Sequence, residues 1–212
     1  THAWLKHKQS VTAVVERAQK DTTQDMSTSE ESSEPLESPT YAQKTVLAFG
    51  GNGFIGSEVI SKMLERNYKI TVVSRGNWYF DSGTRIKPHV KQVICDRENS
   101  DLEYCTDLLQ VINETAHFDI VIDFSAYKPE VISEALEYLK GKVGLYIYIS
   151  TDSVYEVSVP RPPETGTVSK ETDARRPEDE DERDQLNEMD SYGDQKLAGE
   201  EVILNIYAAG KK

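Results

Sequence analysis

From Lys44 onward, apolar runs of strand length alternate with segments of helical period. The runs are Thr45–Phe49, Ile70–Val73, Val90–Cys95, Ile120–Phe124 and Leu145–Ser150. They are rich in Val and Ile and nearly continuous rather than alternating, which predicts parallel strands covered on both faces. Between them the spacing predicts helices over Ile55–Arg66, Leu102–Glu114 and Pro129–Lys140. The last of these opens on a proline in the first turn and closes at Gly141. Ser82–Pro88 lacks a period and is expected to be irregular, in place of a regular helix between the second and third strands. A final helix is predicted over Tyr192–Ala209. Strand–helix repetition of this kind specifies an α/β fold, a doubly wound parallel sheet with five strands visible.

The flanks have a different texture. Residues 1–20 have the spacing of a short amphipathic helix, with Leu5, Val11, Val14, Val15 and Ala18 partly aligned. Residues 21–43 are Ser, Thr, Glu and Pro with few apolar side chains, so 1–43 read as a disordered or weakly helical tail. Residues 156–190 interrupt the α/β pattern with prolines and the charge run Pro-Glu-Asp-Glu-Asp-Glu-Arg-Asp, and are expected to form a flexible acidic insertion within a domain covering 44–212. Residues 21–40 carry −6 and residues 164–190 carry −7, which together equal the net charge of −13 and leave the rest close to neutral. No basic stripe is present, so nucleic acid is not an expected partner. No apolar run approaches the roughly 18 residues of a membrane span, so no membrane association is expected either. Cys95 and Cys105 have no metal-ligand or CxxC spacing and suggest no disulfide framework, which points to a reducing, cytoplasmic compartment. His2, His7, His89 and His117 are scattered, and no metal site is expected.

The most informative stretch follows the first strand: Gly50-Gly51-Asn52-Gly53-Phe54-Ile55-Gly56-Ser57. A diphosphate needs several backbone N–H groups at a helix N-terminus, where the helix dipole also favours negative charge. Side chains on the turn would hold it away, so glycines line the approach, and Gly56 lets the helix pack closely on the strand. Phe54 and Ile55 are expected to cap the core beneath the loop. An apolar strand before, a helix after and a second strand within about 30 residues are the context this motif requires. Residues 44–150 therefore read as a Rossmann-type half-domain binding a nicotinamide dinucleotide. An acidic residue at the end of the second strand commonly accepts the ribose hydroxyl of NAD. Here the strand ends in Ser74-Arg75-Gly76, so NADP is favoured over NAD, with Arg75 placed to meet a 2′-phosphate.

Taken together, GGNGFIG, Ile149-Ser-Thr-Asp-Ser-Val-Tyr155 and Tyr192-Gly-Asp-Gln-Lys196 resemble the extended short-chain dehydrogenase/reductase family. More narrowly, they resemble its NAD-dependent epimerase/dehydratase group, over about residues 44–209. The resemblance implies a cofactor site at Gly50, Gly51, Gly53, Phe54, Ile55, Gly56, Ser74 and Arg75. It implies that Asp96, in Cys95-Asp96-Arg97, hydrogen-bonds the adenine amino group, with Arg97 beside it. It further implies that the backbone of Ser125, Ala126 and Tyr127 lies along the cofactor, and that Thr151 is the catalytic Ser/Thr. Where the sugar dehydratases of the group carry Thr-Asp-Glu, this chain carries Thr151-Asp152-Ser153.

Tyr192 and Lys196 stand at i and i+4, on one helix face. A free Tyr titrates near about pH 10, and a nearby ammonium favours the phenolate. Lys196 is expected to lower the Tyr192 pKa while hydrogen-bonding the nicotinamide ribose. Tyr192 then exchanges a proton with a substrate hydroxyl as hydride moves, and Thr151 holds the substrate oxygen. Asp119 and Asp123 bracket the fourth strand and read as strand-end caps rather than acid–base groups. Trp78, Tyr79 and Phe80 read as loop residues near the adenine side. The resemblance also implies a sixth strand and a smaller substrate domain beyond Ala209, so the chain looks like the cofactor half of a longer enzyme. Its exposed sheet edge is a candidate for association with another chain, such as a homodimer. Two readings follow. One is an NAD(P)-dependent oxidoreductase of epimerase/dehydratase type, acting on a small molecule such as a nucleotide sugar. The other is a non-catalytic dinucleotide-binding or scaffold protein derived from that family.

Overall fold

The computed structural model describes residues 43–160 and 169–209. The helix expected over 1–20 and nearly all of the expected tail lie outside the described residues. The five strands are β1 (Thr45–Phe49), β2 (Lys69–Ser74), β3 (Lys91–Ile94), β4 (Phe118–Asp123) and β5 (Val143–Tyr148), within two residues of the sequence reading at nearly every end. All pair in parallel, in the order β3-β2-β1-β4-β5. Helices α1 (Phe54–Glu65), α3 (Thr106–Glu114) and α4 (Pro129–Tyr138) make the crossovers, as the periodicity predicted. Between β2 and β3 stand only the single-turn α2 (Ser82–Arg85) and a 3-10 turn at Lys87–His89.

β1 is the middle strand, and its alternating side chains feed two cores. Leu47 and Phe49 pack with Val73, Leu108, Val111, Val121 and Ala135 on the α3–α4 face. Val46 and Ala48 pack with Ile60, Ile70, Val72 and Ile122 on the α1 face. Burial on both faces, expected of every strand, holds for β1, β2 and β4 and fails at the edges. In β3 only Val93 is buried, and in β5 only Tyr148. An edge strand has one neighbour and incomplete helix cover, so apolar composition overstates its burial.

The expectation that the cysteines stay unpaired is corrected. The loop after β3 turns back on itself and brings Cys105, at the start of α3, to 5.4 Å (Cα–Cα) from Cys95, and the two form a disulfide. The cysteines therefore give no argument for a reducing compartment. The expectation of a flexible acidic insertion is also corrected for its described part. Glu180–Met189 forms helix α5, which packs on α6 (Ser191–Ala209). Asp179 caps α5 by accepting from Glu182 N at 3.0 Å, and Glu180, Asp181 and Glu182 fill its first turn, where carboxylates favour the helix dipole. The charge run is thus a helix start. Arg176 ties the insertion to α6 through two bonds to Asp194, at 3.0 and 3.2 Å. Val157, Val154 and Leu197 close a small core between them.

At Gly56 a Cβ would lie 2.7 Å from Gly50 O and 2.8 Å from Gly51 Cα, so α1 touches the loop that precedes it backbone to backbone. Gly56→Ala is therefore expected to destabilise the domain by about 1–3 kcal/mol, as overpacking does. Urea unfolding checks this, and an unchanged midpoint would show that the loop can withdraw.

Candidate functional site

The carboxyl ends of the strands open into a cleft of about 700 Å³ at the point where β1 and β4 diverge to opposite sides of the sheet. Each strand contributes to its wall: Gly50 and Gly53 after β1, Ser74 and Arg75 at β2, Asp96 and Arg97 after β3, Ser125 and Tyr127 after β4, and Ile149 after β5. Of the cofactor residues read from the sequence, all line the cleft except Gly51, Ala126 and Lys196, which are buried behind it. Gly50 takes φ +75°, and a Cβ there would meet Ser125 Cβ at 2.7 Å, so the loops after β1 and β4 meet only because Gly50 has no side chain. Phe54 departs from its expected role. It does not cap the core; it is 73% exposed and rests edge-on against Phe80, 5.7 Å between ring centres, because it occupies the outward side of the first turn of α1.

No side chain caps the N-terminus of α1, and no acidic residue occupies its first turn. Arg75 is exposed at the cleft rim. Asp96 accepts from Glu98 N at 3.3 Å and Asn99 Nδ2 at 3.0 Å. Arg97, beside it, does not reach outward. Its guanidinium lies 3.7 Å over the Phe49 ring, and its Nη2 donates to both oxygens of Asp123, at 2.8 and 2.9 Å, and to Ser125 Oγ at 3.2 Å. Asp123 is fully buried and also accepts from Ser125 N, Ala126 N and Tyr146 Oη. Burial, and then Asp123, push the Tyr146 phenol far above its usual range. Asp119 caps as expected, its Oδ2 accepting from Thr45 N at 2.7 Å and Thr45 Oγ1 at 2.9 Å, and these bonds hold its carboxyl below the usual value.

Thr151, Tyr192 and Lys196 sit at the β5 end, next to the cleft and not among its lining residues. The structure brings Thr151 close enough to Tyr192 for its side chain to lower the phenol's pKa, while Thr151 Oγ1 donates to Asp152 Oδ1 at 3.3 Å. The expected effect of Lys196 on Tyr192 is corrected. Burial raises the Tyr192 pKa, Thr151 lowers it, and Tyr127, Asp152 and Asp190 raise it, so the phenol lies above its usual value rather than below it. The lysine turns instead toward two backbone carbonyls, Ile149 O at 2.6 Å and Ala126 O at 3.1 Å, with the Tyr148 ring 4.3 Å away. Helix spacing places Tyr192 and Lys196 on one face, but the carbonyls of two strand loops compete for the ammonium and win. Burial depresses the lysine to about 8.

Asp123 caps the end of β4 as expected, through Ser125 N and Ala126 N, and its pairing with Arg97 was not foreseen; sequence reasoning missed Asn52 altogether. Asn52 is buried, and its Nδ2 donates to Asn77 O, tying the glycine loop to the loop after β2. Its signal was a polar residue set among glycines, with nothing local to name its partner. Among the described residues no group of His, Cys, Asp and Glu is arranged to hold a metal, and no helix is long and apolar enough to cross a membrane.

The sequence pattern of the NAD dependent epimerase/dehydratase family matches residues 46–211. Comparison with curated proteins gives no significant match. Among solved structures, the chain is similar to dTDP-glucose 4,6-dehydratase from Bacillus anthracis in complex with NAD, with 21% identity, a TM-score of 0.53, and 78% of this chain and 51% of that chain covered. It is similar to the UDP-Glc/GlcNAc 4-epimerase of Campylobacter jejuni, with 20% identity, a TM-score of 0.54, and 78% and 50% covered. It is also similar to vestitone reductase from alfalfa, with 21% identity, a TM-score of 0.53, and 77% and 52% covered. The chain spans about half the length of each. At these identities the likeness establishes the fold.

The depressed Lys196 gives a pH signature. Folded Lys196 releases its proton near 8, whereas the unfolded chain holds it to about 10.5. The unfolded state thus binds more protons between those values, and stability rises with pH there, with the burial cost fully present below 8. Relative to Lys196→Met, the wild type is expected to gain up to about 3 kcal/mol across that window. Denaturant unfolding at a series of pH values measures it, and a gap independent of pH would refute a buried ammonium.

Proposed function

Because the chain belongs to the NAD dependent epimerase/dehydratase family, we propose that its cleft binds a nicotinamide dinucleotide and serves an oxidoreductase reaction on a hydroxyl or carbonyl substrate such as a nucleotide sugar. One observation carries the reading. Gly53 has ordinary backbone angles, φ −82° and ψ −174°, and a Cβ there would meet nothing nearer than Gly50 O at 3.7 Å. Neither conformation nor packing requires a glycine at this position. It lines the cleft immediately before the uncapped start of α1, so a bare backbone there is explained by a ligand that comes close.

In this reading the first-turn amides of α1, at Phe54, Ile55 and Gly56, hold the diphosphate, with Gly50, Gly51 and Gly53 clearing its approach. Asp96, whose oxygens each accept one bond among the described residues, takes the adenine amino group. Ser74 and Arg75 take the adenosine ribose, and the exposed Arg75 cation suits a 2′-phosphate, favouring NADP over NAD. The backbone of Ser125–Tyr127 lines the inner wall, and Lys196 offers its remaining N–H. When bound, the dinucleotide supplies a hydride donor or acceptor. Tyr192 moves the proton at the substrate oxygen, and Thr151 orients that oxygen. The raised Tyr192 pKa keeps the phenol protonated at neutral pH, the form that can give a proton to a carbonyl oxygen as it is reduced.

The commitment of Lys196 to two carbonyls favours a second reading, a dinucleotide-binding protein without turnover. Substitution separates the two. Gly53→Val is expected to leave unfolding unchanged and weaken NADPH and NADH binding about a hundredfold by calorimetry. Wild-type affinity in this variant would sink the diphosphate site. Tyr192→Phe is expected to keep binding and abolish turnover, followed by nicotinamide fluorescence with a panel of nucleotide sugars. Turnover that survives removes Tyr192 from the reaction, and binding without any turnover in the wild type favours the second reading.

A further inference from the structure

A buried ion pair lies beneath the cleft, and the reading of Arg97 as a direct cofactor contact leaves it unexplained. We infer that the Arg97–Asp123 pair is a positioning device for Lys196: Arg97 fixes the Asp123 carboxylate, which holds the Ser125–Ala126 turn so that the Ala126 carbonyl receives the lysine.

The path is continuous. Arg97 and Asp123 are 4% and 0% exposed in their side chains. A single guanidinium nitrogen, Nη2, binds both carboxylate oxygens and Ser125 Oγ. Asp123 Oδ1 accepts from Ser125 N at 3.1 Å and Ala126 N at 2.9 Å, while Oδ2 accepts from Tyr146 Oη at 3.0 Å. With about four acceptor sites on a carboxylate, these contacts saturate it and leave the turn one orientation. On the far side of that turn, Ala126 O accepts from Lys196 Nζ at 3.1 Å and from Tyr148 Oη at 3.2 Å. Arg97 comes from the loop after β3, Asp123 from β4 and Lys196 from α6, so the spine joins three elements far apart in sequence.

Energetics point the same way. A buried ion pair contributes little net stability, because desolvation offsets the attraction, and an apolar pair of similar volume would serve the core as well. Stability alone therefore gives no reason for two charges here. Nor is the guanidinium free to leave for a ligand, since its side chain is 4% exposed, its Nη2 is bound to Asp123 and Ser125, and the group stacks on Phe49. The charge of Asp123 reaches the lysine as well. Around Lys196 stand Asp123 on β4, Glu200 on its own helix, Glu98 in the loop after β3, and the rings of Tyr148 and Tyr127. Burial disfavours the ammonium, and Asp123 leads the carboxylates that oppose it.

The inference rests on the proposed function only in giving Lys196 a ligand, so the first readout needs none. In the full chain, Lys196 is titrated by NMR of its side chain, and hydrogen exchange is followed at the Ser125 and Ala126 amides. Asp123→Asn alone strands the buried Arg97, so it is paired with Arg97→Met, which leaves no uncompensated charge and retains an oxygen to accept from the turn. The double variant is expected to titrate Lys196 at lower pH than the wild type and to exchange faster at Ala126. Arg97→Lys, which keeps a cation beside Asp123, is expected to restore both. NADPH affinity should fall about tenfold in the double variant, the worth of roughly one hydrogen bond. A folded double variant with the wild-type lysine midpoint and exchange rates overturns the inference. Absence of NADPH binding in the wild type would overturn the proposed function instead, and leave the lysine titration to decide this one.

Discussion

The architecture depends on two close approaches, at Gly50 and Gly56, that leave no room for a side chain on either glycine. At the divergence of β1 and β4, the loop leaving β1 passes against Ser125 at Gly50, and α1 returns against that same loop at Gly56. A single carbon at either position would lie under 3 Å from its neighbour. This closeness brings the start of α1 to the carboxyl ends of the strands, where Phe54, Ile55 and Gly56 line the cleft at the switch point. The apolar strands supply the driving force for the sheet, since β1 is almost wholly buried on both faces. The glycines decide what shape that burial can take.

How far the sequence foretold this depends on the range of the interaction concerned. Thr45–Phe49 was legible because a Val/Leu/Phe run between a lysine and a pair of glycines leaves little else for it to be. The glycine loop was legible because its chemistry is local, running from one strand through one turn into one helix. Arg97 was not, because a guanidinium beside an expected adenine contact reads as a ligand group, and only the fold brings Asp123 within 2.8 Å of it. The disulfide was hidden for the same reason: ten residues separate Cys95 from Cys105, and the return of the loop is a tertiary event. The acidic run of α5 was misread by composition. Carboxylates in a helix's first turn are favourable, so Glu180–Glu182 stabilise order where a high charge density suggested its absence.

Tyr192 and Lys196 illustrate a limit of helical periodicity. Spacing of four residues guarantees a shared face, and α6 honours it. It does not guarantee contact, because a lysine has a long stem and its ammonium goes where unsatisfied oxygens are. Here the carbonyls of Ala126 and Ile149, just past β4 and β5, both accept from Lys196, and Ala126 O accepts from Tyr148 Oη as well. The tyrosine is left with Thr151, which lowers its pKa, and with Tyr127, Asp152 and Asp190, which raise it.

The same stitching makes the lysine a coupling element between loop order and charge. An ammonium has three N–H donors, and two of them close the gap between the loops after β4 and β5. Burial opposes the charge on that nitrogen, so the bonds to both carbonyls are made by a group held near its own neutral point. Any acceptor that engages the third donor favours the charged form. A charged lysine in turn strengthens the two bonds already present, since charge-assisted hydrogen bonds exceed neutral ones. In the proposed reading, occupancy of the cleft beside Lys196 and rigidity of the Ser125–Tyr127 turn rise together, by the reciprocity that binds any two linked equilibria. The buried Asp123 stands at the other end of that turn, where it adds to both effects through its bonds to the turn's amides and its attraction for the ammonium.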